Sequence, residues 1–249
     1  MKKFIKFASG FIALSLMMVL VGIGFYKSEQ KRGEASAVSL TKTETAPAVV
    51  LDPGHGGEDG GCSSLDGTLE KDLNLSVSRV LYDILNVSGI KTVLTRDDDS
   101  MLYDRFGDLS DYTGKKKTYD LKNRLRLASD SECRLFLSIH MNKFSEEKYS
   151  GLQVYYSPND SDSITAALRI QKYAKEYNAP ENDREIKKAG SEIYILNRAE
   201  MPAVLVECGF LSNPSDLEKL RTDAYQKELS LAIGAAVADS LANFETYLK

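Results

Sequence analysis

Apolar positions recur along the chain with two periods. Val49–Leu51 is an unbroken β-branched and leucine run stopped by Asp-Pro-Gly, and predicts a buried strand. Residues 69–88 set Leu73, Val77, Val80, Leu81 and Ile84 three and four apart, predicting a helix that Gly89 closes. "IKTVLTR" (90–96) predicts a strand, and residues 97–118 a polar loop with a short helix. "YDLKNRLRLASD" (119–130) predicts a helix with Leu121, Leu125 and Ala128 on one face. "RLFLSIHMN" (134–142) and "GLQVYYS" (151–157) predict strands, 161–177 a helix, and "EIYIL" (192–196) and "AVLVECGF" (203–210) two more strands. "SNPSDLEKL" opens a further helix, with Asn213 as cap, Pro214 at the first helical position and Asp216 in the first turn. One or two helices complete the chain. Strands alternating with helices predict an α/β sandwich with a largely parallel sheet. In such sheets sites gather at the carboxyl ends of strands.

Ahead of this pattern the chain changes character. "MKKFIK" is basic, and residues 7–26 carry no charge over 20 residues. That length spans a bilayer as a helix and exceeds an ordinary cleaved signal core. An "ASA" at Ala35–Ala37 resembles a cleavage site but stands far from the apolar run, so an uncleaved signal anchor is favoured over a cleaved signal. Either way the body is expected to be exported, with the basic end held in the cytoplasm. Residues 27–46 are polar and aperiodic and read as a linker, placing the folded domain at 47–249.

Charge narrows the partners. The net charge is −4, yet residues 1–32 carry +5, leaving −9 for the rest. A body this acidic argues against nucleic acid, which needs a basic face. The Lys115–Lys117 run reads as a solvated loop tip. Cys62, Cys133 and Cys208 are too sparse for a disulfide framework and lack zinc spacing; they read as small, partly buried apolar residues.

Chemistry concentrates where strands end. The chain has two histidines, and His55 and His140 each follow an apolar strand run. Glu207 ends another, and Glu70 starts the helix after the first strand. Two imidazoles and one carboxylate with an open fourth position make a catalytic zinc site. Glu58 and Asp59 also lie near His55, so position alone does not choose the carboxylate ligand. Glu207, set among apolar residues, is the candidate for moving a proton between water and a leaving amine.

The ordered blocks "VVLDPGHGGEDGG", "EKDLNL", "TRDDD", "LFLSIHMN" and "PAVLVECGFLSN" resemble those of the zinc-dependent N-acetylmuramoyl-L-alanine amidases of the third amidase type, over about residues 47–240. The resemblance implies a mixed six-stranded sheet flanked by helices and one catalytic Zn2+. It implies His55, Glu70 and His140 as zinc ligands and Glu207 as the catalytic carboxylate. The reaction implied is hydrolysis of the amide between the lactyl group of N-acetylmuramic acid and L-alanine in peptidoglycan. Within the family, the compact body is most similar to the germination-specific spore-cortex amidases, which act on the way to muramic-δ-lactam. Control by an activator protein is a further implication. Ser129 and Met141 depart from the family blocks without touching the metal set.

The extended substrate calls for a groove. Loop 97–118, Asn142 and residues 178–192 are expected at its rim, and Arg124 is a candidate substrate contact, weighed against a solvated helix face. Asp52 is expected either to orient His55 as a supporting carboxylate or to start the turn.

Overall fold

The alternation is realised in a computed structural model that describes residues 46–244. The expected anchor and nearly all of the linker lie outside the described residues. Among the described residues, no helix is long and apolar enough to cross a membrane. In chain order the elements are β1 (Val49–Pro53), α1 (Glu70–Val87), β2 (Thr92–Leu94), α2 (Lys116–Asp130), β3 (Leu135–Asn142) and β4 (Gln153–Tyr156). There follow α3 (Asp162–Tyr177), β5 (Lys187–Lys188), α4 (Tyr194–Arg198), β6 (Ala203–Phe210), α5 (Pro214–Leu220) and α6 (Asp223–Ala242).

The strands form one six-stranded sheet in the order β2-β1-β3-β6-β4-β5. Strands β2, β1, β3 and β6 are parallel, while β4 runs antiparallel to β6 and carries β5 parallel to itself. The sheet is therefore mixed and largely parallel, as the family resemblance implied.

Period-two alternation sorts the side chains onto two faces. Leu51, Leu137, Ile139, Val206 and Val154 enter a large core with Leu73, Val77, Leu81 and Leu85 of α1. Helix α6 packs against α1 and α3 on that side. Val50, Phe136, Ala203 and Leu205 enter a smaller core with residues of α2 and α4. Completely buried leucines such as Leu81 each hold the layers together, and truncating one to alanine costs about 2–5 kcal/mol. The chain leaves β1 towards β2 on one side and reaches β3 on the other. That reversal opens a crevice at the carboxyl ends of β1 and β3.

Two expected features differ. "EIYIL" is not a strand: Tyr194–Arg198 is a short helix. Ile195, Leu196 and Ala199 are all buried, a spacing that a helix can bury on one face and a strand cannot. The outer strand is instead the exposed pair Lys187–Lys188. Helix α2 also starts at Lys116, inside the expected loop. The lysines there are largely solvated, as expected, and form surface pairs: Lys116 meets Glu58 at 2.6 Å and Lys117 meets Asp59 at 3.4 Å. Elsewhere β6 matches its expected bounds, and Asn213 accepts from the Asp216 amide at 3.0 Å with Pro214 behind it.

Candidate metal centre

His55 leaves the end of β1 on the turn that starts at Gly54. Its φ is +62°, in the left-handed region that a non-glycine residue occupies at a cost of about 1–3 kcal/mol. His140 stands near the end of β3, and Glu70 is the first residue of α1. The structure brings these three together: one donor atom from each lies within 4.8 Å of the others. Glu70 Oε1 is 3.2 Å from His55 Nε2 and 2.8 Å from His140 Nδ1.

The surrounding backbone holds Glu70 in place. The Cys62 amide donates to Oε2 at 2.8 Å and the Met141 amide to Oε1 at 3.2 Å. Glu58 and Asp59 do not join the cluster. Glu58 is exposed and paired with Lys116, whereas Asp59 Oδ2 sits 2.9 Å from His55 Nδ1. Asp59 is thus the carboxylate that orients the His55 ring, leaving Nε2 to face the cluster. Sequence position marked Asp59 only as a rival ligand; its supporting place depends on the turn geometry.

Two glycines make the cluster sterically feasible. A methyl group on Gly54 would fall 2.2 Å from the His140 ring. One on Gly61 would fall 2.5 Å from Glu70 Oε2 and 2.8 Å from His55 Cδ2, and Gly61 has a φ of +68°. The glycines of "DPGHGGEDGG" therefore give room to the cluster as well as bending the chain.

Electrostatics agree with a site built for a cation. Burial penalises the His55 imidazolium, but hydrogen bonds to Asp59 and Glu70 outweigh it and push the group up to about 9. The Glu70 carboxyl is penalised by burial too, yet His140 and His55 hold it well below the usual range. In each case a positive centre is favoured among the three groups, and a metal ion would supply it in place of a proton. The donor set of two nitrogens and one oxygen fits zinc.

Glu207 lies beside His140 as its register partner across β3 and β6, without bonding to the cluster. Its Oε2 is buried with no hydrogen-bond partner among the described residues. Burial pushes this carboxyl up to about 7; the His140 charge opposes the rise and the Glu70 charge adds to it. An unpartnered carboxyl at this value can both take and return a proton near neutral pH.

Arg124 corrects an expectation. It is neither a substrate contact nor part of a solvated face, because it is 1% exposed. It pairs with Asp52 at 2.7 Å and with Asp120 at 2.8 Å. It also donates to the carbonyls of Pro53 and His55 at 2.8 and 2.6 Å. Asp52 does not touch His55: it accepts from Thr95, Ser138 and Arg124, so it supports the turn at one remove. Arg96 adds bonds to the carbonyls of Pro53 and Gly54, each at 2.9 Å. Asp99 accepts from the Gly57 amide at 2.7 Å, so the expected rim loop also braces the turn. Asn142 ends β3, half-buried, and lines a cavity on the side of β4.

A largely parallel α/β sheet whose strand ends gather two imidazoles, a carboxylate and a second, free carboxylate has the build of a hydrolase with a metal-competent site. The chain belongs to the N-acetylmuramoyl-L-alanine amidase family, whose sequence model matches residues 49–239. It is an amidase-type hydrolase of the peptidoglycan stem-peptide amide bond, as the resemblance implied.

Named relatives bear this out. The germination-specific N-acetylmuramoyl-L-alanine amidase of Bacillus subtilis (strain 168) is 30% identical over 233 residues, 94% of this chain and 93% of that protein. The amidase LytC of the same organism is 32% identical over 198 residues, but the match spans only 36% of LytC. Among solved structures, the CwlD amidase from Clostridioides difficile, in complex with the GerS lipoprotein, is similar at a TM-score of 0.72 and 37% identity. That match covers 78% of this chain and 98% of the other.

Proposed function

We propose that this protein is a zinc-dependent amidase that cleaves the bond between the lactyl group of N-acetylmuramic acid and L-alanine, with spore cortex as its substrate. The observation that carries the chemistry is the arrangement of the His55, Glu70 and His140 cluster beside an unpartnered Glu207. His55 through Nε2, His140 through Nδ1 and Glu70 through Oε1 would hold the metal. A zinc ion supplies Lewis acidity, polarising a carbonyl and acidifying water. Glu207 takes the proton of the attacking water at its free Oε2 and returns it to the departing alanine nitrogen. Asp59 fixes the His55 tautomer, and the Arg124 and Arg96 guanidiniums fix the turn.

Spore cortex is supported by near full-length similarity to a germination-specific amidase, which LytC does not match in coverage. The enzyme then supplies the peptide-free muramic acid from which muramic-δ-lactam forms. The uncharged run at residues 7–26 supports export and anchoring in the membrane. The lipoprotein bound to the similar CwlD supports an activator partner for this chain as well.

The test is digestion of purified cortex and vegetative peptidoglycan, read by mass spectrometry, with metal content measured alongside. New L-alanine amino termini in cortex, about one zinc per chain and its loss in His140→Ala are expected. Glu207→Ala should keep zinc and lose activity by about 10²–10⁴-fold. Release of free terminal amino acids would identify a peptidase instead. Cleavage of vegetative wall alone would make this a growth-phase amidase.

A further inference from the structure

Beyond Glu207 the same sheet face continues into a second feature. Glu207 is paired across β6 and β4 with Gln153, and Tyr155 follows Gln153 by two residues on that face. There a cavity of about 290 Å³ is lined by Tyr149, Gln153, Tyr155, Arg184, Lys187 and Phe210, among others. Its walls are aromatic and its charges are positive. The Arg184 guanidinium lies 4.8 Å from the Phe210 ring centre and 5.9 Å from that of Tyr149. Lys187 lies 5.9 Å from the Tyr155 ring centre. Arg184 Nε is spent on the Ser150 carbonyl, and neither cation has a carboxylate partner among the described residues. Gln153 is 1% exposed, and its Oε1 has no hydrogen-bond partner.

Two unpaired cations on an acidic protein, with a buried acceptor between them and the proposed catalytic carboxylate, make a ready site for an anion that also carries N–H groups. We propose that this cavity binds the stem peptide beyond L-alanine, with Arg184 and Lys187 receiving the free carboxylate of the second, acidic residue. The assignment rests on the amidase reading given above. In that substrate the lactyl carboxylate is already consumed in the scissile amide, and the sugars offer hydroxyls and acetamides without charge. Anionic groups therefore lie on the peptide side alone. A guanidinium stacked on aromatic rings keeps its planar fork fixed for a carboxylate. Gln153 Oε1 would accept from a peptide N–H. The cavity thus sets which strand of substrate lies along β4, and it makes the enzyme selective for a free carboxylate over its amide.

The experiment compares muramoyl-L-alanyl-γ-D-glutamyl peptides carrying a free α-carboxylate with the same peptides α-amidated. Both kcat/KM and equilibrium binding of the released dipeptides are measured on the metal-loaded enzyme. Wild type is expected to prefer the carboxylate form about tenfold or more in both readouts. Arg184→Gln should remove most of that preference, and Arg184→Lys should restore part of it, with melting temperature confirming that each variant folds. Equal handling of the two forms by wild type overturns the proposal, as does an equal loss on both forms in Arg184→Gln. Dipeptide selectivity without cleavage of either substrate would uphold the subsite and overturn the amidase reading alone.

Discussion

Arg124 donates through Nη2 to the main-chain carbonyl of His55 at 2.6 Å, although the two residues are 69 positions apart. The guanidinium is buried, held by Asp52 and Asp120, and it fastens the turn that carries His55 in its left-handed conformation. Replacing Arg124 by Met strands Asp52 in the interior without its cation. The loss of stability should be about 3–5 kcal/mol, measured by urea denaturation. Arg124→Lys keeps the charge but cannot reproduce the fork. It should fold and yet bind metal about 10–100-fold more weakly, measured by competition with a chelator. Unchanged metal affinity in Arg124→Lys would mean that the turn holds itself.

The two glycines facing the His55, Glu70 and His140 cluster give a second prediction. Gly54→Ala drives a methyl group into the His140 ring, and Gly61→Ala drives one into Glu70 and His55. Both obstacles are ring or carboxylate atoms fixed by the site. Each variant should lose metal binding and activity, at a cost in stability of about 1–3 kcal/mol. Gly67, where an added methyl meets nothing within 4 Å, has a φ of +88° and so tests backbone strain alone. Gly67→Ala should lose stability but bind metal like wild type, and equal metal loss there would refute the steric account.

Much of this site was legible in the sequence because strand ends can be read. Val49–Leu51, Leu135–Ile139 and Ala203–Val206 are apolar runs, and whatever follows them must emerge at one edge of a parallel sheet. Hence His55, His140 and Glu207 group together from the sequence alone. What could not be read were contacts that depend on exact turns. Asp59 and Asp52 are both near His55 in sequence, yet only the turn puts Asp59 on Nδ1 and turns Asp52 towards Arg124. Arg124 reads in sequence as a surface group, at a substrate or in solvent, because arginine usually is, and its buried partner Asp52 lies on a distant segment. "EIYIL" alternates like a strand over too few residues to separate the periods, and Lys187–Lys188 has no apolar signal at all.

The hydrogen bond from His55 Nδ1 to Asp59 yields a third prediction. Asp59→Ala removes the group that fixes the ring and one of the two carboxylates that hold a proton on it. Metal affinity should fall about 10–100-fold. In the metal-free variant, the His55 titration followed by NMR should move down from the wild-type value of about 9. A variant with wild-type metal affinity and an unmoved titration would show Asp59 to be a bystander.

Glu207 makes stability depend on pH, with a sign opposite to that of an ordinary paired carboxylate. Its folded value of about 7 lies above the ordinary 4.5, because burial disfavours the charge and Glu70 adds repulsion while His140 opposes. The folded state therefore holds this proton more tightly than the unfolded chain does. Its contribution is fully present below about pH 4.5 and is lost as pH rises to about 7. Glu207→Gln has no proton to lose. In metal-free protein the variant should gain on wild type over that interval by about 2–4 kcal/mol, and stay level above it. Urea denaturation of both proteins across the range measures the gap. Adding metal should shrink it, since a nearby dication favours the ionised carboxylate. Parallel stability curves in the metal-free proteins would mean that Glu207 is already ionised at pH 5, and could not be the poised proton carrier of the proposed reaction.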